Sequence, residues 1–235
     1  VCKHYSEMGV KGFKIDFMDR DDAACVDFEF RAAATTAKYK MLCDLHGTHK
    51  RTGLNRTYPN VVNFEGVRGL ENNKWGAYPK YDQVQYDVIV PFLRMLAGPM
   101  DYTQGAMLNG TRETYRPSNS EPMSQGTRTH QLAEYVIFLS PLNMLCDSPM
   151  HYDENPECTE FIAKIPTVWE ETIPLQSVIG EYVAVARRNG DKCYVGGTAN
   201  WTAGDLTLDL TPLKVAGRKA VAFCDGVNAD RFAQD

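Results

Sequence analysis

Short apolar runs bounded by polar or glycine-bearing turns recur along this 235-residue chain, at residues 10–16, 41–46, 60–65, 98–102 and 143–147. Each is of strand length and buried in character, which predicts parallel strands. Between several of them the apolar spacing becomes helical. The clearest helix is expected from about Asp22 to Lys40, through Phe28, Phe30, the alanines at 32–34 and Tyr39. A second is expected from Tyr81 to Leu96, interrupted at Pro91, and a third from Thr127 to Leu139. Residues 2–8 read as the last turns of a helix closed by Gly9.

Strands alternating with helices imply βα units on a parallel sheet. Five strands are countable where a closed (β/α)8 barrel needs eight. The expected fold is therefore α/β, the C-terminal part of a TIM barrel over residues 1–165, with its fourth to eighth strands present and the first three upstream. Such a piece would expose sheet edges and apolar surface and fold poorly alone.

From about Pro166 the texture changes. Residues 177–188, the pair Asn189-Gly190 and residues 192–197 have the form of a hairpin with an Asn-Gly turn. Asp205 to Leu210 alternates polar with apolar, as a half-buried strand should. Residues 166–235 are thus expected to form a small antiparallel β-sandwich domain that stops short of completion.

Composition narrows the function. The formal net charge is -5, and neither a basic patch nor a run of like charge suggests nucleic acid as a partner. No apolar run reaches the roughly 18 residues of a membrane span. Seven scattered cysteines with no Cys-x-x-Cys pair read as free thiols.

The chemistry concentrates in two stretches. Lys14-Ile15-Asp16 ends the first apolar run in a carboxylate, as a buried parallel strand delivers an acid to a barrel mouth. Lys14 and Asp16 share one strand face, so Lys14 can keep Asp16 ionised. On the residues alone Asp16 is either a structural acid or a catalytic one. Glu65 and Glu71 follow the apolar run at Val61 to Phe64; Glu71 reads equally as a solvated loop acid or an acid in the site. Paired carboxylates on one barrel face are what glycoside hydrolysis requires. Asp19, Asp21 and Asp22 suit a loop and a helix N-terminus. His46 and His49 are polar strand-end residues or sugar contacts, Arg56 and Arg68 donate to hydroxyls or loop carboxylates, and Trp75 packs or stacks on a sugar.

The strings Lys14–Asp22, Asp44–Asn60, Asn63–Glu71, 97–107 and 179–188 together resemble glycoside hydrolase family 97, over most of the chain. The resemblance implies that Asp16 is the nucleophile and Glu71 the general acid/base, with Lys14, His46, Trp75 and Asp101 lining the substrate site. It implies calcium held in the full-length enzyme by Glu65 and Glu71 with a further ligand from an N-terminal region, where the family carries a large β-sandwich. Inverting members have a glutamate after the histidine that matches His46. Gly47 stands there instead, which resembles the retaining branch and its α-galactosidase activity. The expected partner is an oligosaccharide or glycoside, with no nucleic acid and no membrane, and the family implies a periplasmic or secreted bacterial location. The alternatives are an α-glucosidase or another family specificity and, in a different class, a non-catalytic carbohydrate-binding remnant.

Overall fold

The computed structural model describes residues 1–229. The last six residues of the expected C-terminal domain, 230–235, lie outside the described residues. The chain opens with helix α1 (Cys2–Glu7) and strand β1 (Gly12–Ile15), followed by α2 (Ala23–Lys38), β2 (Leu42–Leu45), α3 (Leu54–Thr57) and β3 (Val61–Phe64). The three strands form a parallel sheet in sequential order. Helix α2 starts where the sequence implies: the Asp22 side chain accepts from the Cys25 amide at 3.0 Å and satisfies an orphan N–H of the first turn.

The sheet has two unlike faces. Cys43, Leu45, Val61 and Phe64 pack with Ala33 of α2 and Leu54 of α3 in one buried cluster, with Ile15 against it. Lys14, Asp44 and Asn63 are register partners on the other face. The β2–β3 register slips after Cys43, so Val62 is an extra residue. That bulge lets Val61 and Phe64, three residues apart, share one core.

Beyond β3 the parallel pairing becomes sparse. The Asp101 amide donates to Phe64 O at 3.3 Å and the Met100 amide to Leu139 O at 3.0 Å. The expected strand at 98–102 is therefore extended backbone held by single bonds. The expected strand at 143–147 is not formed; the segment that meets Met100 is at 139, just after the third helix and ahead of Pro141, whose missing N–H ends regular pairing.

The expected helix at 81–96 is divided into α4 (Gln83–Asp87) and α5 (Val90–Arg94), the break falling just before Pro91. A short parallel pair that the pattern does not predict, β4 (Leu108–Gly110) with β5 (Met123–Gln125), precedes α6 (Arg128–Ile137), α7 (Pro149–Glu154) and α8 (Pro156–Lys164).

Among the described residues the C-terminal part is one antiparallel sheet of β6 (Glu171–Val178), β7 (Tyr182–Asn189) and β8 (Lys192–Ala199), not a sandwich. Instead of a second sheet, helix α6 covers it. The stretch 177–188, read as one strand, contains a hairpin at residues 179–181 with Gly180 at φ +84°. In the next hairpin Asn189 pairs with Lys192, so the two loop residues are Gly190 and Asp191. Asp205 to Leu210 is irregular and mostly exposed; with no strand beside it, alternation alone does not make a strand.

Arg187 of β7 welds sheet to helix. Its buried guanidinium donates to the carbonyls of Val136 and Ile137 at 2.5 and 2.9 Å, satisfying the C-terminal end of α6. Burial pulls its pKa down to about 10. No disulfide joins the described cysteines, of which Cys25 and Cys43 are buried and Cys224 is exposed. No helix among the described residues is long and apolar enough to cross a membrane.

The backbones in this joint approach closely at Gly196, where an added Cβ would stand 2.7 Å from Ala133 O and 2.9 Å from Val136 Cβ. Gly196→Ala should therefore lower stability by about 1–3 kcal/mol in denaturant unfolding. Its neighbour Gly197, where a Cβ would meet only Ala184 Cβ at 3.9 Å, should tolerate alanine within about 0.5 kcal/mol.

Candidate active site

Strand ends of the parallel sheet bring five of the expected site residues together: Lys14 of β1 and Asp16 just after it, His46 after β2, Glu65 after β3, and Asp101. Asp16 is partly exposed, and Lys14 Nζ lies 3.1 Å from its Oδ2. Its Oδ1 accepts from the Phe17 amide at 2.7 Å. Burial works against the carboxylate, yet the Phe17 amide and Lys14 outweigh it and hold Asp16 below the usual aspartate range.

The turn that follows is strained. Phe17 is 87% exposed at φ +63° and Asp19 lies at φ +48°, both left-handed; such residues cost on the order of 1–3 kcal/mol each. The Asp19 amide donates to Gly47 O at 2.6 Å, which ties the turn to the loop after β2. Gly47 itself has φ +55°, and a Cβ there would stand 3.0 Å from Phe17 N and 3.2 Å from Asp16 Oδ1.

His46 is 1% exposed and lies among four carboxylates. Its Nε2 is 2.6 Å from Asp101 Oδ2 and 3.6 Å from Asp44 Oδ2; its Nδ1 is 3.6 Å from Glu65 Oε1 and 3.9 Å from Asp16 Oδ2. Burial disfavours the imidazolium, but the Asp101 hydrogen bond and the charges of Asp101, Asp44 and Glu65 prevail and raise its pKa. Asp44 is buried with no hydrogen-bond donor to either oxygen. Burial first, and then the Asp101 charge, push its carboxyl up to about 7.

Glu65 Oε2 accepts from the Gly47 amide at 2.7 Å. Burial raises its pKa against that bond, and the charges of Glu71 and Asp16 add to the rise. Glu71 lies on a 3-10 turn (Leu70–Trp75), partly exposed, with Lys74 Nζ at 3.2 Å. Its charge is felt at both Lys14 and Glu65, so it borders the cluster without joining its contacts. Trp75 ends the same turn, 54% exposed, with Lys74 over its ring at 4.7 Å. A shallow cavity of about 420 Å³ beside Glu65 is lined by Asp19, Arg20, Asp21, Gly47, Thr48 and His49.

Other expected candidates are drawn elsewhere. His49 Nε2 lies 3.0 Å from Glu29 Oε2, a buried carboxylate of α2 that also accepts from the Thr48 hydroxyl. Arg68 stacks on Tyr86 and Tyr81, 4.3 and 5.0 Å from their ring centres. Asp22 caps α2.

Three residues that the sequence reading passes over shape the site. Asp44 shares the strand face of His46 two positions on, a parity signal equal to that of Lys14 and Asp16. Glu29 anchors the loop after β2 from a helix, and only its burial reveals it. Arg94 of α5 is buried with no carboxylate partner and donates to the carbonyls of Phe64, Glu65, Gly66 and Gly98 at 3.0–3.3 Å. It gathers the end of β3 from which Glu65 projects, and burial pulls its pKa down to about 10.

Asp16, His46 and Glu65 have one donor atom each within 4.8 Å of one another, as do Asp44, His46 and Asp101. Two oxygens and a ring nitrogen at the mouth can hold a cation; the same carboxylates can attack or protonate a bound molecule.

Residues 1–67 match the family model described as Glycoside hydrolase 97, and residues 168–235 the model described as Glycosyl-hydrolase 97 C-terminal, oligomerisation. The chain is 60% identical over its whole length to a retaining alpha-galactosidase of Bacteroides thetaiotaomicron, covering 35% of that protein. It is 31% identical over 190 residues to a probable retaining alpha-galactosidase of Streptomyces bingchenggensis, 81% of this chain and 27% of that one. The chain thus spans about a third or less of the curated relatives it matches. Among solved structures it resembles a glycoside hydrolase family 97 enzyme of Pseudoalteromonas sp. strain K8 in complex with panose, at 31% identity and TM-score 0.63 over 74% of this chain and 27% of that one. It also resembles a beta-arabinopyranosidase, at 25% identity and TM-score 0.74 over 84% of this chain and 31% of that one.

Gly47 and Gly190 share φ +55°, but nothing lies within 4 Å of a Cβ added at Gly190. Alanine at either position carries the same backbone strain, of about 1 kcal/mol or more. Gly47→Ala should destabilise by about a further 1–2 kcal/mol, because its methyl presses on the turn that holds Asp16. Denaturant midpoints of the two variants, compared with the parent, measure the difference.

Proposed function

Because the chain belongs to glycoside hydrolase family 97, we propose that it carries the catalytic carboxylates of a retaining, exo-acting α-galactosidase. The observation that carries this reading is the Asp16 carboxylate: it stands at a strand end, held ionised by Lys14 and the Phe17 amide. A glycine abuts it where a side chain would collide with its oxygen. The α-galactosidase relative supports the choice of sugar.

In the proposed reaction a carboxylate oxygen of Asp16 attacks the anomeric carbon of an α-galactoside from the β face. The bond to the glycosidic oxygen breaks as Glu71 gives that oxygen its proton, leaving a β-linked galactosyl ester on Asp16. Water then attacks the same carbon and loses its proton to Glu71; the ester bond breaks, Asp16 regains its charge and galactose leaves with the α configuration. Lys14 fixes Asp16 and is placed to donate to a sugar hydroxyl. His46, backed by Asp101, is the neighbouring donor. Trp75 offers an exposed ring face for stacking.

Calcium in the proposed enzyme would be held by Glu65 and Glu71. Glu65 and Glu71 would supply hard oxygens, and burial with the charges of acidic neighbours raises the Glu65 pKa, a cost that a divalent cation would relieve. Bound there, calcium would neutralise Glu65 and orient sugar hydroxyls.

The same reading takes residues 1–165 as the last five strands of a (β/α)8 barrel. It rests on the sequential parallel order of β1 to β3 and the single backbone bonds that extend it to Asp101 and Leu139. Residues 166–235 form the second domain, for which the matching family description suggests a role in oligomerisation. A periplasmic or secreted site of action in a bacterium goes with this proposal.

Proton NMR of the anomer first released from an aryl α-galactoside by the product of the complete gene tests the reading. α-Galactose is expected; first release of the β anomer would overturn retention. Asp16→Gly should lower kcat by on the order of 10³-fold or more, with azide restoring turnover as β-galactosyl azide. Lys14→Met, which removes one charge-assisted bond to the nucleophile, should lower kcat/KM about 10- to 100-fold. Absence of turnover on every α-glycoside would leave carbohydrate binding without catalysis.

A further inference from the structure

A second cluster of ionisable side chains lies inside the protein, on elements that do not contribute to the candidate active site. Asp87 closes α4, and His130 and Glu134 stand one turn apart on α6; Asp87 and Glu134 are fully buried and His130 is 7% exposed. His130 Nε2 lies 3.1 Å from Asp87 Oδ2 and 3.2 Å from Glu134 Oε1. One donor atom from each residue falls within 4.8 Å of the others. Ligand bonds of about 2.0–2.2 Å place neighbouring donor atoms roughly 3.0–3.5 Å apart, so these separations match the edges of a coordination shell.

The outer atoms set this cluster apart from an ordinary ion pair. Asp87 Oδ1 accepts from Gln83 Nε2 at 2.9 Å and from the Tyr102 hydroxyl. His130 Nδ1 lies 2.5 Å from Thr198 Oγ1 of β8. Both residues are thus held by one atom while the other, Oδ2 or Nε2, faces the cluster. Metal ligands are oriented in this way by the groups around them.

Two polar groups here are short of partners. Neither oxygen of Glu134 receives a hydrogen bond, although Oε1 stands at ion-pair distance from His130. The Oε1 atom of Gln83, a residue with no exposed surface whose amide nitrogen rests on Asp87, is also unpartnered. Two buried carboxylates against one imidazole leave uncompensated negative charge in a low dielectric. Protons take up part of it: burial opposes the imidazolium, yet the two carboxylates push His130 up to about 10, and burial with the Asp87 charge raises Glu134 as well.

We propose that Asp87, His130 and Glu134 form a structural binding site for a divalent first-row ion, zinc or manganese. The imidazole argues against calcium or magnesium, which prefer oxygen alone, and suits zinc or manganese beside carboxylates. A site closed to solvent serves structure rather than catalysis. Here it would join α4 to α6 and, through Thr198 on His130, to β8.

The test is elemental analysis of the purified protein, together with an anomalous difference map at the zinc or manganese edge from crystals grown after equilibration with each ion. One equivalent per chain is expected, with a peak within about 2.5 Å of Asp87 Oδ2, His130 Nε2 and Glu134 Oε1. Glu134→Gln and His130→Gln should each lose that equivalent, and Glu65→Gln should keep it. If either cluster variant fails to fold, the wild-type map decides alone. No peak with either ion overturns the proposal, and so does a peak at Asp16, His46 and Glu65 with none here.

Discussion

The placement of His46 is the constraint on which the candidate active site depends. Four carboxylates converge within 4 Å of one buried imidazole, and without a positive charge among them they could not all ionise in a low dielectric. His46 divides them by its two ring nitrogens. Asp101 and Asp44 lie behind it on the Nε2 side, where solvent is excluded, and Asp16 and Glu65 lie in front on the Nδ1 side, where a ligand could reach them. The buried pair orients the ring and favours its charged form, and the ring in turn favours the ionised form of the front pair.

The backbone around His46 is bent to suit this arrangement. Left-handed residues at 17, 19 and 47 bring the turn after β1 against the loop after β2, so that the Gly47 amide serves Glu65 and its carbonyl serves Asp19. Strain of this kind persists only where neighbours over-determine it. Glu29 does so from helix α2, by holding Thr48 and His49, and Arg94 does so from α5, by collecting three carbonyls at the end of β3 and that of Gly98. Both are buried charged groups whose partners lie in the loops that present the site.

The same device recurs in the C-terminal half. Arg187 of β7 caps the carbonyl end of α6 and fixes the sheet on that helix. On the same helix, His130 links Asp87 of α4 to Thr198 of β8. Small residues such as Gly196 allow the close approach that these polar contacts require. Apolar packing brings these elements together, and the buried polar groups select one relative placement among many.

Much of this is legible in the sequence. Strand-length apolar runs located β1, β2 and β3 and the extended segment at 98–102, and helical spacing with a capping aspartate located α2. The Lys-x-Asp parity put Lys14 beside Asp16. These features depend on spacing of a few residues, and backbone geometry turns such spacing into a face or an end. The misreadings share a cause: the run at 143–147 and the alternation at 205–210 have strand-like patterns, but a strand exists only where a neighbour pairs with it. Nor could spacing reveal that Asp101 would stand behind His46 across 55 residues, that Arg94 would cap β3 rather than meet a carboxylate, or that Val62 would bulge. The sequence by itself determined which segments could be strands and helices and which of their faces were polar. Only the tertiary structure decided which polar groups meet, because those meetings are set by packing between segments far apart in the chain, where burial turns a charge into a demand for one particular partner.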